Sequence, residues 1–504
     1  MKGFHTRRDS LQTTGLKRIK KKKVSIAYLT FTFLSFVLAF LTLFPILFEN
    51  LSRKQQYENS DQMVEIDRTQ REDSHYPSIH VQGEPRYFVV FSTGCTEFQD
   101  WQAISFFHFA KNVKQKGNVT RILSGCSDTQ SRNQEKAFQE LIAPLSPSFS
   151  LHITPDYGVR DNQKYWNKPK GLLDWFEKGL GFPRRAADYE NDIIIILDPD
   201  MMILRPMTHR FDDYVSDWLT DVVTSKVVPG IPIAQAYGFG AGWLSSMRGK
   251  LQYVVGKGSP ALNVTTDEAG LYYPAGPPYL ATSGDMYKIA VLWVEFLPRV
   301  HDIFPQFMAE MYAYCIAAAH LKLKHQLAKG FMVSDVSAAH REGYHFLDNV
   351  TRKDACLADI PMTNLPYVMH FCQRYAVGRW FFSKYKLRED FFKCTSPLMK
   401  EPPRNVGEIY DWHVFPNGVE FKDYHDESRH HFIVKHTWML CTVLFSLNQV
   451  AIDIKKKHCE NKANFEKSWH FHDKKLFQAT LDDPSNPFLI QDEFMRNKKL
   501  FLGV

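Results

Sequence analysis

Asp198-Pro199-Asp200 places two carboxylates one residue apart in a turn. Carboxylates so spaced can face one cation, and oxygen ligands suit Mg²⁺ or Mn²⁺. An ion held there can bridge a diphosphate and neutralise the charge that develops on a leaving nucleoside diphosphate. A bare Asp-x-Asp is most often a solvated turn. This one directly follows Asp192-Ile193-Ile194-Ile195-Ile196-Leu197. Four isoleucines and a leucine in succession imply burial on both faces, as in a parallel sheet covered by helices. An exposed turn does not require such a strand, so the pair reads as a metal site.

The elements that must position this turn follow from pattern. Strand-prone runs at 87–91, 119–123 and 149–153 alternate with helical patterns at 99–114 and 132–143, and 171–176 lies in a further helix. Strands alternating with helices indicate an α/β fold. In such folds ligands bind at the carboxyl ends of the strands. Farther along, 285–298 and 307–327 read as helices, separated from the first half by Gly-Pro-rich breaks near 274–278. Residues 432–454 are apolar enough to raise a second membrane span. Lys435, His436, Asn448 and Asp453 within them favour a packed helix. There is no internal repeat and no low-complexity tract.

A chain of 504 residues, 44% hydrophobic and 23% charged, can bury a large core. Its formal charge of +7 is a terminal property: residues 1–23 carry nine Lys/Arg and one Asp, and the rest is nearly neutral. That balance offers no nucleic-acid surface. Residues 24–48 are uncharged, long enough to cross a bilayer core of about 30 Å. A cleaved signal peptide has a shorter apolar run, roughly 7–15 residues, and a small-residue cleavage site. Lys20-Lys21-Lys22-Lys23 precede the run, which puts the N-terminus in the cytosol and the body in the lumen.

The predicted organisation is a basic tail (1–23), a signal-anchor (24–48), a polar flexible stem (49–84), a catalytic domain (85–455) and a C-terminal extension (456–504). The stem has too few apolar side chains to offset the entropy of ordering. Asn50, Asn118, Asn263 and Asn349 each begin an Asn-x-Ser/Thr pattern that can accept a glycan. The eight cysteines all follow the anchor, where an oxidising lumen lets some pair. Spacing does not reveal which ones.

Several stretches resemble the hydroxyproline O-arabinosyltransferases and the related peptidyl-serine α-galactosyltransferases, which modify secreted hydroxyproline-rich proteins. They are Phe91-Ser92-Thr93-Gly94-Cys95 with Asp100-Trp101-Gln102, Trp166-Asn167-Lys168-Pro169 with Asp174-Trp175-Phe176, and Ile195 to Met201. Later come Glu310-Met311-Tyr312, Val368-Met369-His370, Val377 to Lys384 around Gly378, and Glu401-Pro402-Pro403. They keep family order from about 87 to 450.

The resemblance implies an α/β fold of the GT-A type, with a mixed, mainly parallel sheet flanked by helices. It implies a UDP-sugar donor, Mn²⁺ or Mg²⁺, and transfer with retention of configuration. Asp198 and Asp200 match the metal motif, and His370 matches the position of a third ligand. Lys384 suits a diphosphate contact as a point charge on a flexible stem; Lys168, in the Asn-Lys-Pro turn before a helix, is a second candidate donor contact, and Gly378 lies in the matched segment that carries Lys384. Ser92 and Thr93 end the first strand, where the nucleoside is expected. Glu310 is placed to orient or deprotonate the acceptor hydroxyl. Asp285 roughly matches an acidic position that would hold the donor sugar. Pro199 replaces the family's alanine between the two aspartates and stiffens the turn.

The expected function is therefore a type II Golgi membrane glycosyltransferase, with the endoplasmic reticulum as the other compartment. Its acceptor would be a hydroxyl, of hydroxyproline or serine, on a secreted or cell-surface protein. A glycan or lipid acceptor is the alternative, as is a catalytically silent lumenal glycoprotein-binding protein. A binding module has no need of a metal–diphosphate set, which favours the enzyme.

Overall fold

The computed structural model describes residues 84–158, 164–212, 218–220, 224–247, 249–338, 342–378, 380–410, 412–415, 418–421 and 427–469. The expected tail, anchor and nearly all of the stem lie outside these residues, as do Asn50, Arg379 and the end of the C-terminal extension.

The centre is a seven-stranded sheet. Its strands are β1 (Tyr87–Gly94), β2 (Asn118–Ser124), β3 (Phe149–Thr154), β4 (Ile193–Leu197), β6 (Ile233–Ala236), β7 (Ala275–Thr282) and β8 (Gln326–Ala328). Their order is β3-β2-β1-β4-β7-β6-β8. Only β7 runs against the others in this sheet. This is the mixed, mainly parallel α/β class expected from the sequence.

β4 is buried on both faces, as its isoleucines require. Ile193, Ile195 and Leu197 enter one core, beneath helix α1 (Glu97–Asn112). Ile194 and Ile196 enter the other. That second core lies under α3 (Asn167–Asp174), α4 (Ser283–Ile303) and α5 (Ala309–His320), while α2 (Asp128–Leu141) is a peripheral helix with no buried residue. At full burial each such aliphatic side chain contributes about 1.5–3 kcal/mol.

Two local findings differ from the sequence pattern. The helix expected over 307–327 ends at His320. Lys322 adopts φ +59°, which an α-helix cannot continue, and the chain then forms β8. The helix expected from 132 begins earlier, at Asp128, because Ser127 and Gln130 form a reciprocal capping box.

A small sheet adjoins the carboxyl end of β4. β5 (Met201–Ile203) pairs antiparallel with β10 (Val368–His370), which pairs parallel with β9 (Met332–Val333). A hairpin of β11 (Tyr375–Val377) and β12 (Trp380–Phe382) follows. Behind it lies α6 (Glu427–His458). Over His430–His458 this helix is long and apolar enough to span a membrane, yet 67% of its apolar window is buried inside the protein. Asn448 bonds both the amide and the carbonyl of Met399, at 2.9 and 2.8 Å. It packs as a core helix, and the boundary expected at 455/456 falls inside it.

Disulfides join Cys95 to Cys126, Cys356 to Cys441 and Cys394 to Cys459, leaving Cys315 and Cys372 as thiols. The first ties the end of β1 to the end of β2. The other two tie α6 to the segments before it. The sequons separate by burial. Asn118 is buried within β2, whereas Asn263 and Asn349 are exposed.

Candidate functional site

Asp198 is the residue after β4, and Asp200 precedes β5. The turn is closed by the Met201 amide donating to the Asp198 carbonyl at 3.1 Å. His370 reaches the turn because β10 pairs with β5 in the register His370–Met201. The Phe371 amide extends that register by donating to the Asp200 carbonyl at 3.0 Å. One ligand atom from each of Asp198, Asp200 and His370 lies within 4.8 Å of the others. Two carboxylates and an imidazole form a mainly oxygen donor set, of a kind that fits Mn²⁺ or Mg²⁺.

Two lysines flank the acids. Lys384, just past β12, places its ammonium 2.5 Å from Asp200 Oδ2, and His370 Nε2 lies 3.2 Å from Asp200 Oδ1. Burial alone raises a carboxyl pKa, but His370 and Lys384 overcome it and hold Asp200 well below the usual carboxylate range. His370 is the converse. Burial opposes its protonation, yet the Cys372 sulfur and the Asp200 carboxylate push its imidazole well above the ordinary value.

Lys168, in the first turn of α3, lies 2.8 Å from Asp198 Oδ1 and 3.6 Å from Glu310 Oε1. The longer distance is an ion pair without a hydrogen bond, and Glu310 Oε1 has no hydrogen-bond partner within the protein. Glu310 opens α5. Burial pushes its carboxyl up to about 7, Lys168 pulls against that, and the Asp198 charge adds to it. Three groups that could hold a metal, two cations and a buried acid thus converge at the carboxyl edge of the sheet.

The remaining expected residues fall as follows. Phe91 pairs with Leu197, so Ser92 stands level with Asp198. Thr93 stands one step beyond, and its hydroxyl accepts from Arg121 Nε at 2.8 Å. Arg121 also bonds Asp100, 2.6 Å away, so Thr93 anchors a buried network under α1. Gly378 is at the turn of the hairpin, the end away from Lys384. Its φ is +53°, and a Cβ there would lie 2.3 Å from the Tyr410 ring. It shapes the hairpin that carries Lys384.

Asp285 is not brought to this edge. Because β7 runs antiparallel to β4, Thr282 pairs with Ile193, at the opposite end of the strand from Asp198. Asp285 follows Thr282 there. It accepts from the Gly230 amide at 2.6 Å and from the Thr282 hydroxyl at 3.1 Å.

Three residues at the site were not singled out by the sequence. Tyr237 follows β6, a strand parallel to β4, and its phenol is pushed well above its ordinary value, first by burial and then by Asp198. Tyr279 on β7 pairs with Ile196, just beneath the turn. Neither carries a local motif, and only strand register reveals them. Cys372 does have a signal: it is two residues past His370, and it is a half-buried thiol.

No family model matches the chain. It is 25% identical over 344 residues to a curated peptidyl serine alpha-galactosyltransferase of Arabidopsis thaliana, a match covering 65% of this chain and 34% of that protein. The chain thus spans about a third of the length of the curated relative it matches. Among solved structures it is similar to the galactosyltransferase LgtC in complex with donor and acceptor sugar analogues. That likeness has 13% identity and a TM-score of 0.28, and covers 57% of this chain and 87% of the other. The apo bifunctional glycosyltransferase WbbM gives 10% identity and a TM-score of 0.29, covering 58% and 47%. At those scores the likeness is too weak to bear on fold or function. The resemblance read from the sequence and the curated relative agree, and both are to glycosyltransferases.

Proposed function

We propose that this protein is a metal-dependent glycosyltransferase that moves a sugar from a UDP-sugar to a hydroxyl, of hydroxyproline or serine, on a secreted protein. The observation that carries this reading is the convergence of Asp198, Asp200 and His370 at the end of a buried strand, with Lys384 and Lys168 beside them. The relative's name, a peptidyl serine alpha-galactosyltransferase, supports a protein acceptor.

In this reading Asp198, Asp200 and His370 hold Mn²⁺ or Mg²⁺, which supplies Lewis-acid stabilisation of a diphosphate leaving group. Lys384 meets the diphosphate as a point charge on a flexible stem. Lys168 pairs with Asp198 at 2.8 Å and offers its remaining protons to the donor. Ser92, level with Asp198, faces the nucleoside. Glu310 orients the acceptor hydroxyl and takes its proton, a task suited to a carboxyl whose pKa is about 7. Transfer proceeds with retention of configuration. Residues 24–48 anchor the protein as a type II Golgi membrane protein with this domain in the lumen.

The test is a panel of UDP-sugars and hydroxyproline- or serine-containing peptides, with full-length protein in detergent, with and without Mn²⁺. One donor should turn over in a metal-dependent way. No turnover on any pair, together with no metal-dependent UDP binding, overturns the reading.

A further inference from the structure

Two buried polar atoms beneath the metal turn have no hydrogen-bond partner in the protein: Glu310 Oε1 and the Tyr279 hydroxyl. Buried polar groups are paired in nine cases out of ten or more, so two orphans in one place call for a reason. Three observations place them in the same region. Tyr279 pairs with Ile196 in the sheet, one step below Leu197 and Asp198. Its ring lies 4.0 Å, centroid to centroid, from that of Tyr314, one turn along α5 from Glu310. Lys168 Nζ is 3.6 Å from Glu310 Oε1, and 5.9 and 6.0 Å from the centroids of Tyr279 and Trp293. The indole of Trp293 in turn donates to the Glu310 carbonyl at 2.8 Å. The phenol responds to the acid electrically as well: after burial, the Glu310 charge is the next cause that pushes it up.

We propose that Glu310 Oε1, the Tyr279 hydroxyl and the Lys168 ammonium hold one buried water molecule between them, and that through it Tyr279 is a positioning residue for Glu310. The donors and acceptors balance. The phenol donates to the water, and the water donates to Glu310 Oε1. Lys168 spends one proton on Asp198 and has another for the water. A buried water needs two to four polar partners, and this site offers three. The water satisfies Oε1, and the carboxyl is held in one orientation beside the reacting centre. The inference rests on the role given to Glu310 above.

Tyr279→Phe keeps the ring and its stacking and removes only the hydroxyl. In the full-length protein it should lower kcat by roughly two- to tenfold, the scale of one lost hydrogen bond, with donor KM unchanged. In a Glu310→Gln background it should add nothing further. Wild-type kcat in Tyr279→Phe, or a loss that multiplies with that of Glu310→Gln, overturns the positioning role. Full activity in Glu310→Gln overturns the role of Glu310 itself and the positioning claim with it. The water site has a readout apart from activity. If the hydroxyl bonds a water held by Glu310, Tyr279→Phe melts below wild type. A phenol that is orphaned in the folded protein gives the opposite sign, a higher melting temperature, and overturns the water site.

Discussion

Two buried acids stand at the starts of consecutive helices. Asp285 is the third residue of α4 and Glu310 the second of α5. Both are nearly inaccessible, at 6% and 8% exposure. Asp285 is satisfied: a backbone amide and a hydroxyl donate to it, and Lys288 lies 3.6 Å away. Glu310 has an oxygen with no hydrogen-bond partner in the protein, a lysine shared with Asp198, and a carboxyl pushed to about 7. The difference is one of place. Helix α4 starts at the amino edge of β4 and, at about 1.5 Å per residue, runs back some 30 Å to the carboxyl edge, where α5 starts. Burial does not make a site; a buried acid with an unbonded oxygen beside a cluster of other buried charges does.

The contrast can be broken most forcefully at the carboxyl edge. Asp200→Asn removes a proposed metal ligand and the partner of both His370 and Lys384. We expect kcat/KM to fall by at least about 10³-fold, the scale of a lost electrostatic element in a dry site, with metal-dependent UDP binding lost and folding retained. Isothermal titration with UDP and Mn²⁺ checks this, and unchanged binding removes the metal assignment.

Glu310→Gln is next, with an expected loss of about 10²–10⁴-fold in kcat. In the wild type, activity should fall as pH drops through about 7, where the carboxyl gains the proton it must lack as a base. The same shift has a stability consequence of opposite sense. A carboxyl whose folded pKa is raised contributes stability that is present below its unfolded value and lost as pH rises through about 7. Glu310→Gln should therefore melt above wild type at pH 8, by on the order of 3 kcal/mol, and match it at about pH 4 and below. A pH series of melting curves decides this.

Asp285→Asn should reverse the pattern. Activity per folded molecule should stay within about twofold, while stability drops by about 1–3 kcal/mol as the contacts at Gly230 and Thr282 weaken. A kcat loss as large as that of Glu310→Gln would erase the distinction between the two acids.

The smallest effect concerns the surface. Asn263 and Asn349 should carry glycans, and Asn118, inside β2, should not. Asn263→Gln and Asn349→Gln should each remove one glycan's mass with little change in activity, and peptide mapping reads the occupancy directly.

Much of the carboxyl edge is legible in the sequence. The run Ile193–Leu197 and the two aspartates after it form a local signal, because a doubly buried strand leaves no polar positions and its end exposes them. The α1 and α2 helices and the first three strands show their periods in the same way. Residues 307–327 misled because apolar periodicity continues past His320, while the backbone reverses at Lys322 with a positive φ that no side-chain pattern announces. Asp285 misled for a different reason: its position depends on β7 being antiparallel, and strand direction is not written into the strand.

By itself, then, the sequence determined the buried strand, the carboxylate turn, the basic tail and apolar run before the body, and through resemblance the candidacy of His370, Lys384 and Lys168. Those are properties of short segments, governed by burial and local spacing. The tertiary structure alone decided which cysteines pair, that His370 sits against Asp200, that Tyr237 and Tyr279 line the site, and that Glu310 and Asp285 lie at opposite edges. Each of these depends on strand order and register, and so on contacts between residues tens to hundreds of positions apart.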